Sequence, residues 1–117
     1  MADSSRIRCP ALREKIMPAD AAAALIPPGV NIGMSGFTGA GYPKAVPGAL
    51  AQRIQEANQR GQPFKIGVWT GASTAPELDA ALAAVDGIEL RLPYQSDPVS
   101  RPNVIDTIRN LVNQGGA

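Results

Sequence analysis

The residues best placed for chemistry form a glycine-rich segment, residues 33–44, with the sequence Gly-Met-Ser-Gly-Phe-Thr-Gly-Ala-Gly-Tyr-Pro-Lys. Gly36, Gly39 and Gly41 let the backbone take positive φ and approach a ligand with no Cβ in the way. Pro43 then suits the start of a helix. We therefore expect a cluster of free N–H groups at a helix N-terminus, an arrangement that binds carboxylates, phosphates or an oxyanion.

A second turn of small residues, Thr70-Gly71-Ala72-Ser73-Thr74, follows a second apolar run. It supplies hydroxyls and amides, and we expect it to converge with the first turn on one crevice. The alternative is that the glycines have a structural role only and make a tight connection between a strand and a helix. The residues predicted to bind a ligand are Ser35, Gly36, Phe37, Thr38, Gly39, Ala40, Gly41, Tyr42, Thr70, Gly71, Ala72 and Ser73.

Two nucleotide-binding motifs are excluded by the order of residues in the first turn. A dinucleotide fingerprint needs G-x-G-x-x-G and an acidic residue after the next strand, whereas the order from Gly36 is G-x-x-G-x-G and the next strand ends in Trp69-Thr70-Gly71. A phosphate loop needs glycine before the lysine and Ser or Thr after it, but Lys44 stands between proline and alanine. We therefore expect neither NAD nor ATP.

The composition of the chain excludes several classes of partner and of catalytic or metal site. Eleven Lys plus Arg against ten Asp plus Glu give a net charge of +1 without a basic run, so no nucleic-acid partner is expected. The chain has no histidine and only one cysteine, Cys9, which excludes a disulfide framework, the usual zinc sites and a histidine-based triad. No metal site is predicted.

The chain is predicted to be cytoplasmic. No apolar segment approaches the roughly 20 residues of a membrane span, and the first residues lack the apolar stretch of a secretory signal. An organelle transit peptide is the minor alternative, because Arg6, Arg8 and Arg13 lie near the start, but Asp3 and Pro10 interrupt an amphipathic helix there.

The elements that must position the two turns alternate between strands and helices. Strands are predicted at 30–34, 64–69 and 88–92, and a short alanine-rich helix at 18–26. A longer helix is predicted from Pro43 to Arg60, with the apolar face Val46, Leu50, Ile54 and Ala57. Another helix is predicted after Pro76, with the apolar face Leu78, Ala81, Leu82 and Val85. This β-α-β-α-β order predicts a parallel sheet with both turns at the carboxyl ends of its strands.

The predicted domain division has three parts. Residues 1–17 form an N-terminal arm with a short helical turn, and residues 18–95 form an α/β domain. Residues 96–117 form a divergent tail whose apolar stripe, Val104, Ile105, Ile108, Leu111 and Val112, is compatible with a helix.

The motifs of the two turns resemble those of a known protein family. Residues 35–43 resemble the G-G-F-x-x-x-G-x-P signature of coenzyme A transferases, with Ser35 in place of the first glycine. The variant here, followed by Ala-Val-Pro and later by Thr-Gly-Ala-Ser-Thr, is similar to the acetyl-CoA hydrolase/transferase branch, which includes succinyl-CoA:acetate CoA-transferases. Pro93-Tyr94-Gln95 and residues 6–15 fit the same branch, and the resemblance covers residues 6–101.

This resemblance implies a fold and a reaction. The fold is the N-terminal part of a three-layer, parallel-sheet α/β domain of the CoA-transferase type. The reaction moves coenzyme A between an acyl-CoA and a small carboxylate such as acetate, through a glutamyl-CoA thioester. Coenzyme A thioester is then the substrate and no other cofactor is needed. The resemblance also implies a homo-oligomer of full-length subunits.

The sequence departs from the family because it does not include the region that carries the nucleophilic glutamate. The family's nucleophilic glutamate lies in the C-terminal half of a much longer subunit, and this sequence stops before it. Its own glutamates, Glu14, Glu56, Glu77 and Glu89, are explained as surface or helix-start charges, so no catalytic residue is assigned. We expect the chain alone to be inactive. The alternatives are a non-catalytic module that binds a small anion or a partner, and an inactive truncated fragment.

Overall fold

The computed structural model of the chain describes residues 4–93. It contains four helices and three strands: α1 (Pro10–Arg13), α2 (Ala19–Ala24), β1 (Asn31–Gly33), α3 (Val46–Gln59), β2 (Ile66–Trp69), α4 (Ala81–Ala84) and β3 (Ile88–Leu92), with a π-helical turn at Pro76–Ala80 that leads into α4. The predicted β-α-β-α-β order is confirmed. The predictions for the tail 96–117 and for Tyr94 and Gln95 lie outside the described residues.

The three strands form one parallel sheet in the order β1-β2-β3. Strand β1 pairs with β2 so that Gly33, the last residue of β1, lies opposite Trp69, the last residue of β2. The loops that leave these two strands therefore start side by side at the same edge of the sheet, as the sequence predicts.

Helix α3 begins at Val46, three residues later than the predicted start at Pro43. Two prolines explain the difference. In a helix that started at Pro43, Pro47 would have to donate an N–H to the carbonyl of Pro43, and proline has no N–H. In the observed helix Pro47 lies in the first turn, where that N–H is not needed.

The core lies between the sheet and helices on one of its faces. Leu50 and Ile54 from α3 are fully buried, as the predicted apolar spacing requires. They pack in one cluster with buried residues of the strands, the π-helical turn and α4: Ile66, Val68, Leu78, Leu82 and Ile88. Residues 4–93 thus supply a sheet and one helical layer, and the three-layer arrangement stays a prediction.

Strand β3 contains an irregularity that decides which of its side chains face the helices. Ile66 pairs with Ile88 but the next residue, Gly67, pairs with Leu90, so Glu89 is an extra residue on β3. Such a bulge reverses the inward and outward alternation beyond it. Arg91 consequently lies opposite Val68, on the face that packs against the helices.

Candidate functional site

The two turns predicted to form the site are joined by hydrogen bonds between their backbones. The amide of Gly71 donates to the carbonyl of Gly36 over 3.0 Å, and the amide of Thr38 donates to the carbonyl of Ser73 over 2.6 Å. The first turn (residues 35–43) and the second turn (residues 70–74) therefore form one unit at the edge of the sheet, which we call the turn pair.

Two glycines allow the turn pair to close. A Cβ on Gly71 would lie 2.6 Å from the carbonyl oxygen of Gly36. A Cβ on Gly36, whose φ is +135°, would lie 2.8 Å from the Cγ2 of Thr74 and 2.9 Å from the Cβ of Tyr42. These glycines are needed because one turn approaches the other too closely for a Cβ at either position.

The tip of the first turn has a different geometry. Thr38 and Gly39, at φ +47° and +83°, lie between Phe37 and Ala40, whose backbones exchange two hydrogen bonds of 3.0 Å. Positive φ at both central residues is the pattern of a type I′ turn. Threonine is β-branched and rarely adopts this conformation, so Thr38 holds local backbone strain at the exposed tip.

The expectation of a cluster of free N–H groups is wrong for several residues of the turn pair. The amides of Phe37, Thr38, Ala40 and Gly71 donate to backbone carbonyls, because each turn uses its donors to close on itself or on its neighbour. The late start of α3 also separates the helix N-terminus from the glycines. Among residues 4–93, the turn-pair amides that donate to no protein acceptor include those of Gly39, Gly41 and Ala72.

The hydroxyls of the turn pair are also engaged. Ser35 donates to the carbonyl of Gly41 over 2.6 Å, and Thr70 donates to the carbonyl of Ala72 over 2.7 Å. Thr74 is buried, and its hydroxyl donates to a carboxylate oxygen of Asp79 over 2.5 Å. The hydroxyls of Thr70 and Thr74 therefore stabilise the conformation of the second turn.

Aromatic side chains and one lysine lie in or next to the turn pair in sequence. Phe37 is 60% exposed, and the Nζ of Lys44 lies 3.5 Å from the centre of the half-buried Tyr42 ring. Trp69, at the end of β2, is 47% exposed because it lies on the sheet face opposite the helices. Lys44 was expected in the first helical turn, but it precedes α3.

The structure adds two residues that sequence reasoning missed, Asp79 and Arg91. Their side chains are 2% and 0% exposed, and the Nε of Arg91 donates to Asp79 over 2.8 Å. The burial of Arg91 is hidden in the sequence, because strict alternation along β3 places Arg91 with Glu89 on the solvent side. The bulge reverses that placement. An aspartate three residues after Pro76 is also an ordinary helix-start charge.

The part of the chain that the structure describes offers little support for a catalytic glutamate, a metal site or a membrane span. Glu14, Glu56, Glu77 and Glu89 are all exposed, and none of them is hydrogen-bonded to the turn pair. Within residues 4–93 no group of three or more His, Cys, Asp or Glu side chains could hold a metal ion. None of the helices described is long and apolar enough to cross a membrane.

Comparison with known proteins gives a consistent result. The family model for the acetyl-CoA hydrolase/transferase N-terminal domain matches residues 4–117. Succinyl-CoA:acetate CoA-transferase of Clostridium kluyveri is 41% identical over 101 residues, which are 86% of this chain and 18% of that protein.

Two further relatives cover the same region. Propanoyl-CoA:succinate CoA transferase of Escherichia coli is 36% identical over 99 residues, 85% of this chain and 18% of its own length. Acetyl-CoA hydrolase of Saccharomyces cerevisiae is 36% identical over 110 residues, 94% of this chain and 19% of its own length. The chain thus spans about a fifth of the length of the curated relatives it matches.

Proposed function

The chain belongs to the acetyl-CoA hydrolase/transferase family, whose N-terminal domain it matches, and on that premise we propose that its turn pair forms the acyl or carboxylate side of a site that handles coenzyme A thioesters. The reaction is transfer of coenzyme A between an acyl-CoA and a small carboxylate such as acetate. The observation that carries the proposal is the closed turn pair at the carboxyl ends of β1 and β2, which leaves the amides of Gly39, Gly41 and Ala72 without a protein acceptor in residues 4–93.

Those amides suit the chemistry of such a site. Backbone N–H groups that are fixed in place stabilise negative charge without reorganising as the charge develops. In this transfer, negative charge resides on the carboxylate acceptor and develops on the thioester oxygen when a nucleophile adds to the carbonyl carbon. The closed turn pair supplies donors of that kind, while hydrogen bonds of Thr38 and Gly71 hold the loops that carry them.

We propose that the covalent step uses a glutamate other than Glu14, Glu56, Glu77 and Glu89. Its carboxylate adds to the thioester carbonyl and expels coenzyme A thiolate, which leaves an acyl-glutamyl anhydride. The thiolate then adds to the glutamyl carbonyl and expels the acyl group as a free carboxylate, which gives the glutamyl-CoA thioester. The exposure of Glu14, Glu56, Glu77 and Glu89, together with their lack of hydrogen bonds to the turn pair, supports this placement.

The working partner of the turn pair is proposed to be the remainder of a longer subunit, because the matched relatives are about five times the length of this chain. Homo-oligomers of such subunits and a cytoplasmic location are part of the same proposal. The single free cysteine, Cys9, is compatible with a reducing compartment.

The experiment that tests the function is a transfer assay with acetyl-CoA and succinyl-CoA as donors and acetate or succinate as acceptors. The chain is assayed alone and joined to the C-terminal part of a family member, with free thiol measured beside the acyl-CoA product to separate hydrolysis from transfer. Transfer only by the joined protein supports the proposal. Transfer by the chain alone would refute the external nucleophile, and inactivity of both would favour a binding module or an inactive fragment.

A further inference from the structure

The charged pair Asp79–Arg91 lies behind the second turn and is almost completely shielded from solvent. The side chain of Arg91 is 0% exposed and that of Asp79 is 2% exposed. Asp79 belongs to the π-helical turn Pro76–Ala80, and Arg91 reaches it from β3 because the bulge at Glu89 turns its side chain toward the helices.

Three side-chain hydrogen bonds of this pair end on the second turn. The second carboxylate oxygen of Asp79 accepts the amide of Thr74 over 2.7 Å and the hydroxyl of Thr74 over 2.5 Å. Arg91 donates through Nη2 to the carbonyl of Ala72 over 2.9 Å and through Nη1 to the carbonyl of Leu92 over 2.6 Å. The pair thus holds both Ala72 and Thr74.

The second turn transmits this constraint to the first. Ser73 lies between the two residues that the pair holds, and its carbonyl accepts the amide of Thr38. The methyl group of Thr74 lies against Gly36, where a Cβ would be only 2.8 Å away. A shift of the second turn therefore changes the position of the first.

We propose that Asp79 and Arg91 are positioning residues that set the geometry of the turn pair and thereby of its free amides. Their part in ligand binding rests on the proposed function, whereas their effect on the turn pair does not. Bulk stability is a poor explanation for the pair, because buried ion pairs are costly to desolvate and apolar residues of similar size often stabilise a fold as well or better. Hydrogen bonds that end on one loop are better suited to fixing the conformation of that loop.

The chain offers matched variants. Asp79→Asn keeps the size of the side chain but places an NH2 group opposite either the amide of Thr74 or the Nε of Arg91, so one bond is lost in both orientations. Thr74→Val removes only the hydroxyl bond, and Thr74→Ser restores it. Asp86→Asn is the control, because Asp86 forms an exposed ion pair with Lys65 over 3.2 Å, away from the turn pair.

The test is amide hydrogen exchange of the full chain, followed residue by residue. We expect Asp79→Asn and Thr74→Val to speed exchange at Thr38 and Gly71 at least about tenfold, which corresponds to loss of roughly one hydrogen bond. Exchange at Ile66 and Gly67, whose amides bond to Gly87 and Val30 in the sheet, should change far less. Asp86→Asn should behave as the unaltered chain, and Thr74→Ser, which keeps the hydroxyl but lacks the methyl group, should speed exchange less than Thr74→Val.

Equal acceleration at all these amides would overturn the proposal, because it would show that the pair stabilises only the whole fold. So would unchanged exchange in Thr74→Val, which keeps the inference testable even if Asp79→Asn fails to fold. Titration with acetyl-CoA separates the two proposals. Local acceleration in the variants, with no binding of acetyl-CoA when the unaltered chain is joined to the C-terminal part of a family member, would support the positioning role and count against the proposed function alone.

Discussion

Replacement of Gly71 by alanine should open the turn pair. The added Cβ would lie 2.6 Å from the carbonyl oxygen of Gly36, a distance that real Cβ contacts essentially never show. The obstacle is backbone, so it cannot rotate away as a flexible side chain would. To reach ordinary van der Waals contact at 3.4 Å, the two backbones must separate by about 0.8 Å.

The energetic consequence follows from the hydrogen bonds at this point. The bond from the Gly71 amide to the Gly36 carbonyl is 3.0 Å long and would exceed the usual limit after such a shift. The neighbouring bond from Thr38 to Ser73 would weaken with it. Each contributes about 0.5–1.5 kcal/mol, so the free energy of unfolding should fall by about 2 kcal/mol. For a chain of 117 residues this lowers Tm by about 6–10 °C.

Thermal unfolding followed by circular dichroism measures this effect, and Gly33→Ala is the matched control. Gly33 lies at the end of β1, but a Cβ there would meet nothing within 4 Å. Its replacement should change the free energy of unfolding by less than about 0.5 kcal/mol. A Gly71→Ala variant that melts with the unaltered chain and still protects the Thr38 amide would refute the closed turn pair.

Three further changes have defined outcomes, each measurable by the same thermal unfolding. Arg53→Met should lower the free energy of unfolding by about 1.5–3 kcal/mol, because one guanidinium nitrogen donates to the carbonyls of Ala23 and Ile26 at the end of α2; an unchanged Tm would contradict that role. Gly48→Ala should stabilise α3 by about 0.5–1 kcal/mol, since nothing lies within 4 Å of the new Cβ, and destabilisation would count against the described helix. Thr38→Asn should raise stability by up to about 1 kcal/mol, because asparagine tolerates positive φ better, and a lower Tm would argue against the tip conformation.

The fold was largely predictable because its signals are local and repeated. The predicted apolar face of α3 is Val46, Leu50, Ile54 and Ala57; the last three are buried and Val46, at the start of the helix, is half-buried. The bounds of β3 agree with the predicted 88–92. The predicted start of α3 was wrong because a helix from Pro43 requires an N–H at Pro47, which proline lacks, so Pro47 lies in the first turn instead.

The placement of the candidate site was predictable, but its hydrogen bonding was not. Parallel strands bring their following loops to one edge, so the meeting of residues 35–43 with residues 70–74 could be expected. Which amides stay free depends on how the two loops pair with each other. That pairing between Gly36 and Gly71, and between Thr38 and Ser73, has no signature in either segment alone.

Arg91 shows why a buried polar residue can escape sequence reasoning. The alternation Ile88-Glu89-Leu90-Arg91-Leu92 predicts Arg91 on the exposed side together with Glu89. One extra residue in the strand places it in the core instead, where Asp79 compensates its charge. A bulge depends on the partner strand as well as on the sequence of its own strand.

The most direct test of the central claim is an amide-resolved titration of the full chain, isotopically labelled and joined to the unlabelled C-terminal part of a family member, with acetate and, separately, with acetyl-CoA. If the turn pair forms the acyl or carboxylate side of the site, the amide signals of Gly39, Gly41 and Ala72 should shift most, with smaller changes at β2. Shifts that centre on α2 or α3, or no shift with either ligand, would contradict the claim that these amides bind the reacting group.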